Sequence, residues 1–406
     1  MNKLTLENLI SRDKISGKRI LVRVDFNVPL DENRNITDAK RIVESLPTIN
    51  AIIKNGGKCI LMSHMGRPKG ERNPKYSLDV VAKYLAGNLD MSVLFSDDCI
   101  SDDNLLMIEN MKEGEILLLE NLRYYREEEK NDPEFAKKLA RYGDIYVNDA
   151  FGTAHRAHAS TEGVTHFIEI CAAGYLMEKE IKYLSAAIEN PKRPLCAILG
   201  GSKISGKIEI IMNLLNTADK ILIGGGMMFT FFKALGYDIG KSILEEDKVQ
   251  LAKQIYDKAS EMHKEFLLPS DAVYADKFEN DAEIKIMDCS MMPEVCKECI
   301  GMDIGPETIE RFKHAILESK TIIWNGPMGV FEMDNFSKGT FEIARALADA
   351  TKLGAITVIG GGDSAAAIAK AGLESEVTHV STGGGASLEF LEGKILPGIA
   401  ALTDNK

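Results

Sequence analysis

The 406-residue chain has one tryptophan, 12 prolines and an odd number of cysteines, seven. Seven thiols cannot all pair within one chain. Residues 1–14 mix charges through every turn and lack the apolar core of a secretion signal. The thiols are therefore expected to be reduced, in a cytosol-like compartment. No run of about 18 apolar residues is present to span a bilayer. Basic residues are outnumbered, 49 Lys and Arg against 61 Asp and Glu, for a formal charge of −12. That balance argues against a general binder of nucleic acid or anionic membrane, whose footprint is basic. It leaves room for a local basic pocket. What is abundant is apolar material, 45% of residues with 27% charged, enough for two or three ordinary domains with sizeable cores.

Two residue types divide the chain. Eleven of the 14 arginines lie within residues 1–156, leaving Arg193, Arg311 and Arg345 beyond. Eleven glycines precede residue 200 and 23 follow from Gly200 onward, among them triplets at 224–226, 360–362 and 383–385. Arginine grips phosphate or carboxylate through a planar fork. Glycine lets backbone N–H groups approach a phosphate. One half is thus expected to hold an anionic small molecule through side chains, the other a nucleotide through backbone. Composition alone leaves open a solvated arginine face and ordinary glycine turns.

Position separates these readings. Short apolar runs end in polar residues throughout. In the first half, Ile20–Val24 precedes Asp25, Cys59–Met62 precedes Ser63 and His64, Ile116–Leu119 precedes Glu120 and Asn121, and Ile145–Val147 precedes Asn148 and Asp149. In the second half, Leu195–Leu199, Ile221–Ile223, Thr321–Trp324 and Ile356–Ile359 precede Gly- or Asn-Gly-rich turns. Such runs, separated by amphipathic segments of helix length, predict βαβ units, parallel sheets and an α/β fold. Ligands of these sheets bind beyond the carboxyl ends of the strands. Residues 175–190 predict a connecting helix, with Leu176, Ile181, Leu184 and Ile188 roughly on one face and Pro191 as its stop.

Alternation puts Arg23, Asp25 and Asn27 on one side of the first strand and its exit. Arg41, His64, Arg67, Arg123 and Arg156 are cationic candidates near strand exits. Any one of them could pair with a local carboxylate; all together point to an anion site. His155 and His158 form HxxH, which lacks the i, i+4 spacing and third ligand of a helical zinc site, so a structural histidine at 158 is the simpler reading.

Residues 201–207 match G-x-x-x-x-G-K, yet Ile208 follows where a P-loop needs a magnesium-holding hydroxyl. What survives is Lys203 and Lys207, four apart at an expected helix start and so on one face, among backbone donors suited to phosphates. Gly360–Gly362 admits phosphate, Asp363 is a hard-cation ligand, and Ser364 is expected to cap a helix and bond phosphate. Glu332 is placed to accept from ribose hydroxyls, or is a plain surface carboxylate.

These motifs resemble phosphoglycerate kinases over about residues 15–400, through RVDFNVP (23–29), LMSHMGRP (61–68), ENLR (120–123), NDAFGTAHRAH (148–158), ILGGSK (198–203), GGGMMFTF (224–231), ADKF (275–278), WNGPMGVFE (324–332), IGGGDS (359–364) and STGGGASLE (381–389). The resemblance implies two doubly wound, Rossmann-like parallel-sheet domains: 1–174, to which the tail 391–406 returns, and 191–390, joined by the helix 175–190. It implies reversible phosphoryl transfer between 1,3-bisphosphoglycerate and ADP, giving 3-phosphoglycerate and Mg-ATP, after domain closure. It assigns Asp25, Phe26, Asn27, Arg41, His64, Met65, Gly66, Arg67, Arg123 and Arg156 to the phosphoglycerate site. Lys203, Lys207, Gly301, Asn325, Glu332, Gly361, Gly362, Asp363 and Ser364 go to the nucleotide, with Asp363 serving Mg²⁺. Arg41, Lys203, Gly361 and Gly384 take catalytic roles, Arg41 and Lys203 flanking the transferred group. A cytoplasmic, glycolytic monomer acting on small molecules, without nucleic-acid or membrane partners, is implied.

The chain departs from the family in two places. The adenine-side segment Pro-Asp-Gly-Trp-Met-Gly-Leu-Asp is replaced by the longer 292–303, without its Trp and with Cys296 and Cys299 near Cys289. Three thiols fall short of a closed four-ligand zinc site, so free thiols are expected. Gly206 stands where relatives often carry Asp. The rival readings are another phosphotransferase, discriminated by the missing hydroxyl after Lys207, and a non-catalytic metabolite sensor, discriminated by loss of Lys203, Lys207 or Asp363; all three are present.

Overall fold

A computed structural model describes residues 2–88, 92–289 and 297–405. The chain divides into two units, Met1–Lys182 with Ile395–Lys406, and Tyr183–Lys394. In the first unit the β-branched runs become β1 (Arg19–Arg23), β2 (Lys58–Met62), β3 (Val93–Phe95), β4 (Ile116–Leu118), β5 (Ile145–Asn148) and β6 (Cys171–Ala173). They form one sheet of order β3-β4-β2-β1-β5-β6, parallel throughout. β2, β4 and β5 are buried nearly end to end, as expected of strands covered on both faces. Helix Lys40–Lys54 turns Ile42, Ile49, Ile52 and Ile53 inward, the spacing of an amphipathic stripe. The C-terminal tail is tied into this unit: Leu4 N–H donates to Thr403 O at 2.8 Å, and Asn148 Nδ2 to Gly398 O at 3.2 Å.

The second unit holds β7 (Leu195–Leu199), β8 (Lys220–Ile223), β9 (Glu265–Leu267), β10 (Asp271–Ala275), β11 (Ile284–Asp288), β12 (Ile300–Ile304), β13 (Thr321–Asn325), β14 (Ile356–Gly360) and β15 (His379–Val380). Six of them form a second parallel sheet, β15-β14-β13-β7-β8-β9. In each sheet the first strand of the unit lies centrally, so the strand order reverses beside it: β1 lies between β2 and β5, β7 between β8 and β13. These are the switch points at which doubly wound sheets open a crevice.

Eight apolar runs of the sequence became strands. Edge strands β3, β6, β9 and β15 were not foreseen: they are at most three residues long, too short for a periodicity. The antiparallel sheet β11-β10-β12 was also missed. In β11 only Met287 is buried, while Ile284 and Ile286 face outward, so its pattern reads as polar-exposed. The connecting helix runs Tyr175–Ile188. Leu176, Ile181 and Leu184 are buried on it, with Ala187 rather than Ile188 completing the stripe.

Candidate active site

In the first unit, the exits of β1, β2, β4 and β5 bring together most of the expected acceptor residues. Asp25 sits two residues past β1. Its Oδ1 accepts the Asn27 N–H at 3.1 Å and its Oδ2 accepts Arg41 Nη1 at 2.9 Å. Arg41, at the start of helix Lys40–Lys54, also reaches Asn27 O at 3.2 Å. Asn27 Oδ1 accepts the Gly66 N–H at 2.8 Å. The loop after β2 is thereby pinned to the loop after β1. Gly66 has φ +60, and a Cβ there would meet the Tyr76 ring at 2.4 Å; only glycine fits. Phe26 and Met65 are buried. They belong to the hydrophobic core of this unit, with the Phe26 N–H donating to Ser63 Oγ at 2.8 Å.

Asn121, just past β4, organises the same loop. Its Nδ2 donates to Met65 O at 2.7 Å and Tyr76 O at 2.8 Å, and its Oδ1 accepts the N–H groups of Met65 and Arg123. Arg123 is buried and donates from Nη1 to Gly66 O at 2.9 Å. Burial lowers its pKa, opposed by Glu129. Arg67 and Arg156 are exposed. Arg67 has no partner among the described residues, and Arg156 donates from Nε to His155 Nε2 at 3.1 Å. His64 is buried; burial, then the positive charges of Arg23, Arg123 and Arg41, hold its pKa well below the ordinary imidazole value. His158 is pushed down to about 3 for the same reasons, burial first.

Beneath this surface lies a fully buried arginine. Arg23, the last residue of β1, has no exposed surface and lies with Nη2 3.2 Å from His64 Nδ1. Sequence reasoning placed it with Asp25 and Asn27 but missed its partners Ser160 and Glu128, which lie far along the chain.

In the second unit the turns after β7, β8 and β13 pack backbone on backbone. Gly201 N–H donates to Pro327 O and Gly225 N–H to Met328 O, both at 2.9 Å. Gly201 and Gly326 take φ +97, and a Cβ on Gly326 would meet Gly200 O at 2.3 Å. These turns border a cavity of about 520 Å³, within the range of small-ligand sites. Its walls are largely apolar, from Phe229, Ile243, Phe278, Met302, Met328 and Val330, with Glu332 and Asp363 among the carboxylates that line it. Gly301 lines it too; a Cβ there would lie 1.9 Å from Phe229 Cζ.

The remaining nucleotide candidates surround the exits of β13 and β14. Asn325 Nδ2 donates to Gly360 O at 2.9 Å, while its buried Oδ1 has no partner. Gly361, φ +88, precedes helix Gly362–Lys370, so the first N–H groups of that helix, from Gly362 on, are open for an anion. Gly384, φ +51, precedes helix Gly385–Leu391. Lys207 is drawn down to about 8 by burial, with Asp363 and Glu392 opposing.

Three expectations are corrected. Lys203 and Lys207 do not share a helix face: the helix begins at Ile208, and Lys207 N–H bonds Ile204 O in a preceding turn, leaving Lys203 in the loop. Ser364 does not cap its helix. It is buried in the first turn, where its hydroxyl accepts the Gly326 N–H at 2.5 Å and locks the turn after β13. Cys299 is disulfide-bonded, so it has no thiolate to offer a metal, whereas Cys289 is a buried free thiol. Cys296 and the rest of 290–296 lie outside the described residues. Among the described residues no cluster of three His, Cys, Asp or Glu side chains could hold a metal. No described helix is long and apolar enough to cross a membrane.

Asp303, at the end of β12, is a site residue that sequence reasoning missed. It lines the cavity, accepts the N–H groups of Gly339 and Ile304, and is raised to about 7 by burial. Nothing local in Gly-Met-Asp-Ile distinguishes it, because its burial comes from packing against Gly329 and Gly339.

The family model for phosphoglycerate kinase matches residues 10–394. The chain is 57% identical over 404 residues to the phosphoglycerate kinase of Chlorobaculum tepidum, covering 100% of both chains. The solved phosphoglycerate kinase of Coxiella burnetii superposes with TM-score 0.90 at 40% identity over 98% of each chain. That of Pyrococcus horikoshii superposes with TM-score 0.80 at 33% identity, again over 98% of each. The chain belongs to the phosphoglycerate kinase family, glycolytic enzymes that phosphorylate the carboxyl group of 3-phosphoglycerate.

Proposed function

We propose that this chain carries out its family's reversible transfer with an acceptor site made by the first unit and a nucleotide site made by the second. In the ATP-consuming direction, a carboxylate oxygen of 3-phosphoglycerate attacks the γ-phosphorus. The new O–P bond forms as the bond to the β-phosphate oxygen breaks, giving the acyl phosphate and ADP. The carboxylate, with a pKa of about 3.5, is ionised at neutral pH, so no general base is required. Catalysis is then a matter of positioning and of cationic and N–H stabilisation of a loose transition state.

Arg41, Arg67, Arg123 and Arg156 hold the charged groups of the acceptor, with Asp25, Asn27 and His64 bonding its polar groups and Phe26, Met65 and Gly66 shaping the floor. Lys207, the N–H groups opening at Gly361 and Gly362, and Asn325 Oδ1 face the nucleotide. Gly301 forms part of its base pocket and Glu332 meets the ribose. Ser364 acts indirectly, by holding the Gly326 turn. Arg41 and Lys203 flank the transferred phosphoryl, with Gly361 and Gly384 supplying backbone at the helix starts. Asp363 fits Mg²⁺: it is an exposed hard oxygen donor lining the cavity, and Mg²⁺ is commonly held by one carboxylate together with substrate phosphates. Bound there, the ion would neutralise phosphate charge.

Acceptor and nucleotide residues belong to different units, and reacting atoms must come within roughly 3–3.5 Å in line. Closure on both ligands, which also excludes water from the acyl phosphate, is therefore part of the proposal. So are a monomeric state, since each half-site is built from one chain, and a cytoplasmic setting, as the glycolytic role implies. The observation that carries the reading is the pairing, in one chain, of arginines in the loops after the strands of one unit with a glycine-built apolar cavity in the other.

A phosphorus NMR time course tests it, with Mg-ATP and either 3-phosphoglycerate or glycerate. The expected result is an acyl-phosphate signal and ADP with 3-phosphoglycerate only. ADP and inorganic phosphate regardless of acceptor would indicate an ATPase, and no turnover with both ligands bound would indicate a sensor.

A further inference from the structure

The Arg23 cluster has no role in the reading so far, yet its hydrogen bonds run in one direction only. Glu128 is fully buried. Its Oε2 accepts the Ser160 N–H at 2.9 Å and its Oε1 accepts the Ser160 O–H at 2.6 Å. A serine hydroxyl has one proton. With that proton given to Glu128, Ser160 Oγ can only accept on its other side, where Arg23 Nε donates at 2.8 Å. Arg23 Nη1 donates to Val24 O, and Nη2 lies 3.2 Å from His64 Nδ1. A guanidinium has no acceptor, so His64 Nδ1 must present its lone pair and the ring proton must sit on Nε2. Asp25 Oδ1, 3.9 Å from the same nitrogen, is too far to compete as a hydrogen-bond partner.

We propose that Glu128 and Ser160 are positioning residues for the acceptor site, fixing His64 through Arg23 as the tautomer that carries its N–H on Nε2. This rests on the reading of His64 as an acceptor ligand given above. The neutral ring then offers a donor, rather than a charge, to an anionic or hydroxylated group of 3-phosphoglycerate. Burial, then the surrounding arginines, holds its pKa well below the ordinary imidazole value. The carboxylate also offsets the buried Arg23 charge, which would be costly alone. Without Ser160 Oγ, Arg23 Nε loses its acceptor in a buried site, the guanidinium is free to turn, and His64 Nδ1 is no longer held unprotonated.

The test is long-range ¹H–¹⁵N NMR of the full chain labelled at its seven histidines, with the His64 signal assigned by its loss in His64→Gln. The wild-type signal is expected in the Nε2–H pattern. Ser160→Ala is expected to mix the tautomers and raise KM for 3-phosphoglycerate about three- to tenfold, with KM for Mg-ATP unchanged. Tyr146→Phe is the control: it removes a 2.9 Å bond to Ser160 O without touching the relay, and should leave tautomer and KM as they were. A wild-type Nδ1–H pattern overturns the proposal even if Ser160→Ala fails to fold. So does a folded Ser160→Ala with an unmoved tautomer, or a Tyr146→Phe that shifts KM equally. An unchanged KM in His64→Gln would instead remove the ligand role of His64 on which the proposal stands.

Discussion

In the N-terminal unit the candidate ligands are side chains: arginines in the loops after four strands, with Asn27 and Asn121 tying the loop after β2 and a buried Arg23 beside His64. In the C-terminal unit they are mostly backbone and cavity wall: glycines at φ +97, +65 and +88, and an apolar chamber of about 520 Å³. The contrast follows from the ligands. A small, highly charged acceptor offers little surface to bury, so recognition must come from charge-assisted bonds. A nucleotide brings an apolar base and a phosphate tail. The base is served by burial, the tail by N–H groups that need no side chain, provided that no Cβ intrudes.

The contrast breaks down where chemistry occurs, and the largest effects are expected there. Lys203→Met and Arg41→Met should each lower kcat by about 10²–10³ while ligand binding falls far less, with only Arg41→Met weakening 3-phosphoglycerate, because both act on the transferred group and Arg41 also holds acceptor charge. Steady-state kinetics with separate binding titrations checks this; loss of binding matching the loss of kcat would reduce both to ground-state ligands.

A smaller effect is expected in the cavity wall. Gly301→Ala puts a Cβ 1.9 Å from Phe229 Cζ. Overpacking of this kind costs about 1–3 kcal/mol. Nucleotide Kd should rise about tenfold, and 3-phosphoglycerate Kd should stay put. Calorimetry on the variant reads both.

Smallest is a pH effect at Lys207, whose pKa in the folded protein is about 8, against about 10.4 when unfolded. Between those values the unfolded chain binds the extra proton, so the stability of the ligand-free protein should rise with pH across that window. Nucleotide phosphates need the protonated lysine, so affinity should fall a few-fold over the same window. Lys207→Arg should flatten both slopes, as thermal melts and titrations from pH 7 to 10 would record.

The sequence carried the two halves of this contrast unequally. Acceptor residues were legible because the loops after the apolar runs carry Arg41, Arg67, Arg123 and Arg156 among their polar residues. The glycine turns were legible as turns. Backbone packing hid the rest. Ser364 reads as a cap, yet it is spent on Gly326. Lys203 and Lys207 read as helical neighbours, yet the helix starts after both. Asp303, Glu128 and Ser160 have no local signal at all, since each becomes buried only through contacts made by distant segments. The antiparallel sheet was missed for a related reason: β11 keeps a single buried residue.

Each unit is expected to hold one ligand by its own means. The most direct measurement is a crossed calorimetric titration of 3-phosphoglycerate and Mg-ADP into the wild type, Arg67→Met and Gly326→Ala. Arg67 has no partner among the described residues, and Gly326 has no room for a Cβ beside Gly200 O. Arg67→Met should weaken 3-phosphoglycerate tenfold or more, by about 1.5–3 kcal/mol, and leave Mg-ADP within twofold; Gly326→Ala should do the reverse. If either variant weakens both ligands equally, or the wrong one, the division of labour between the units is contradicted.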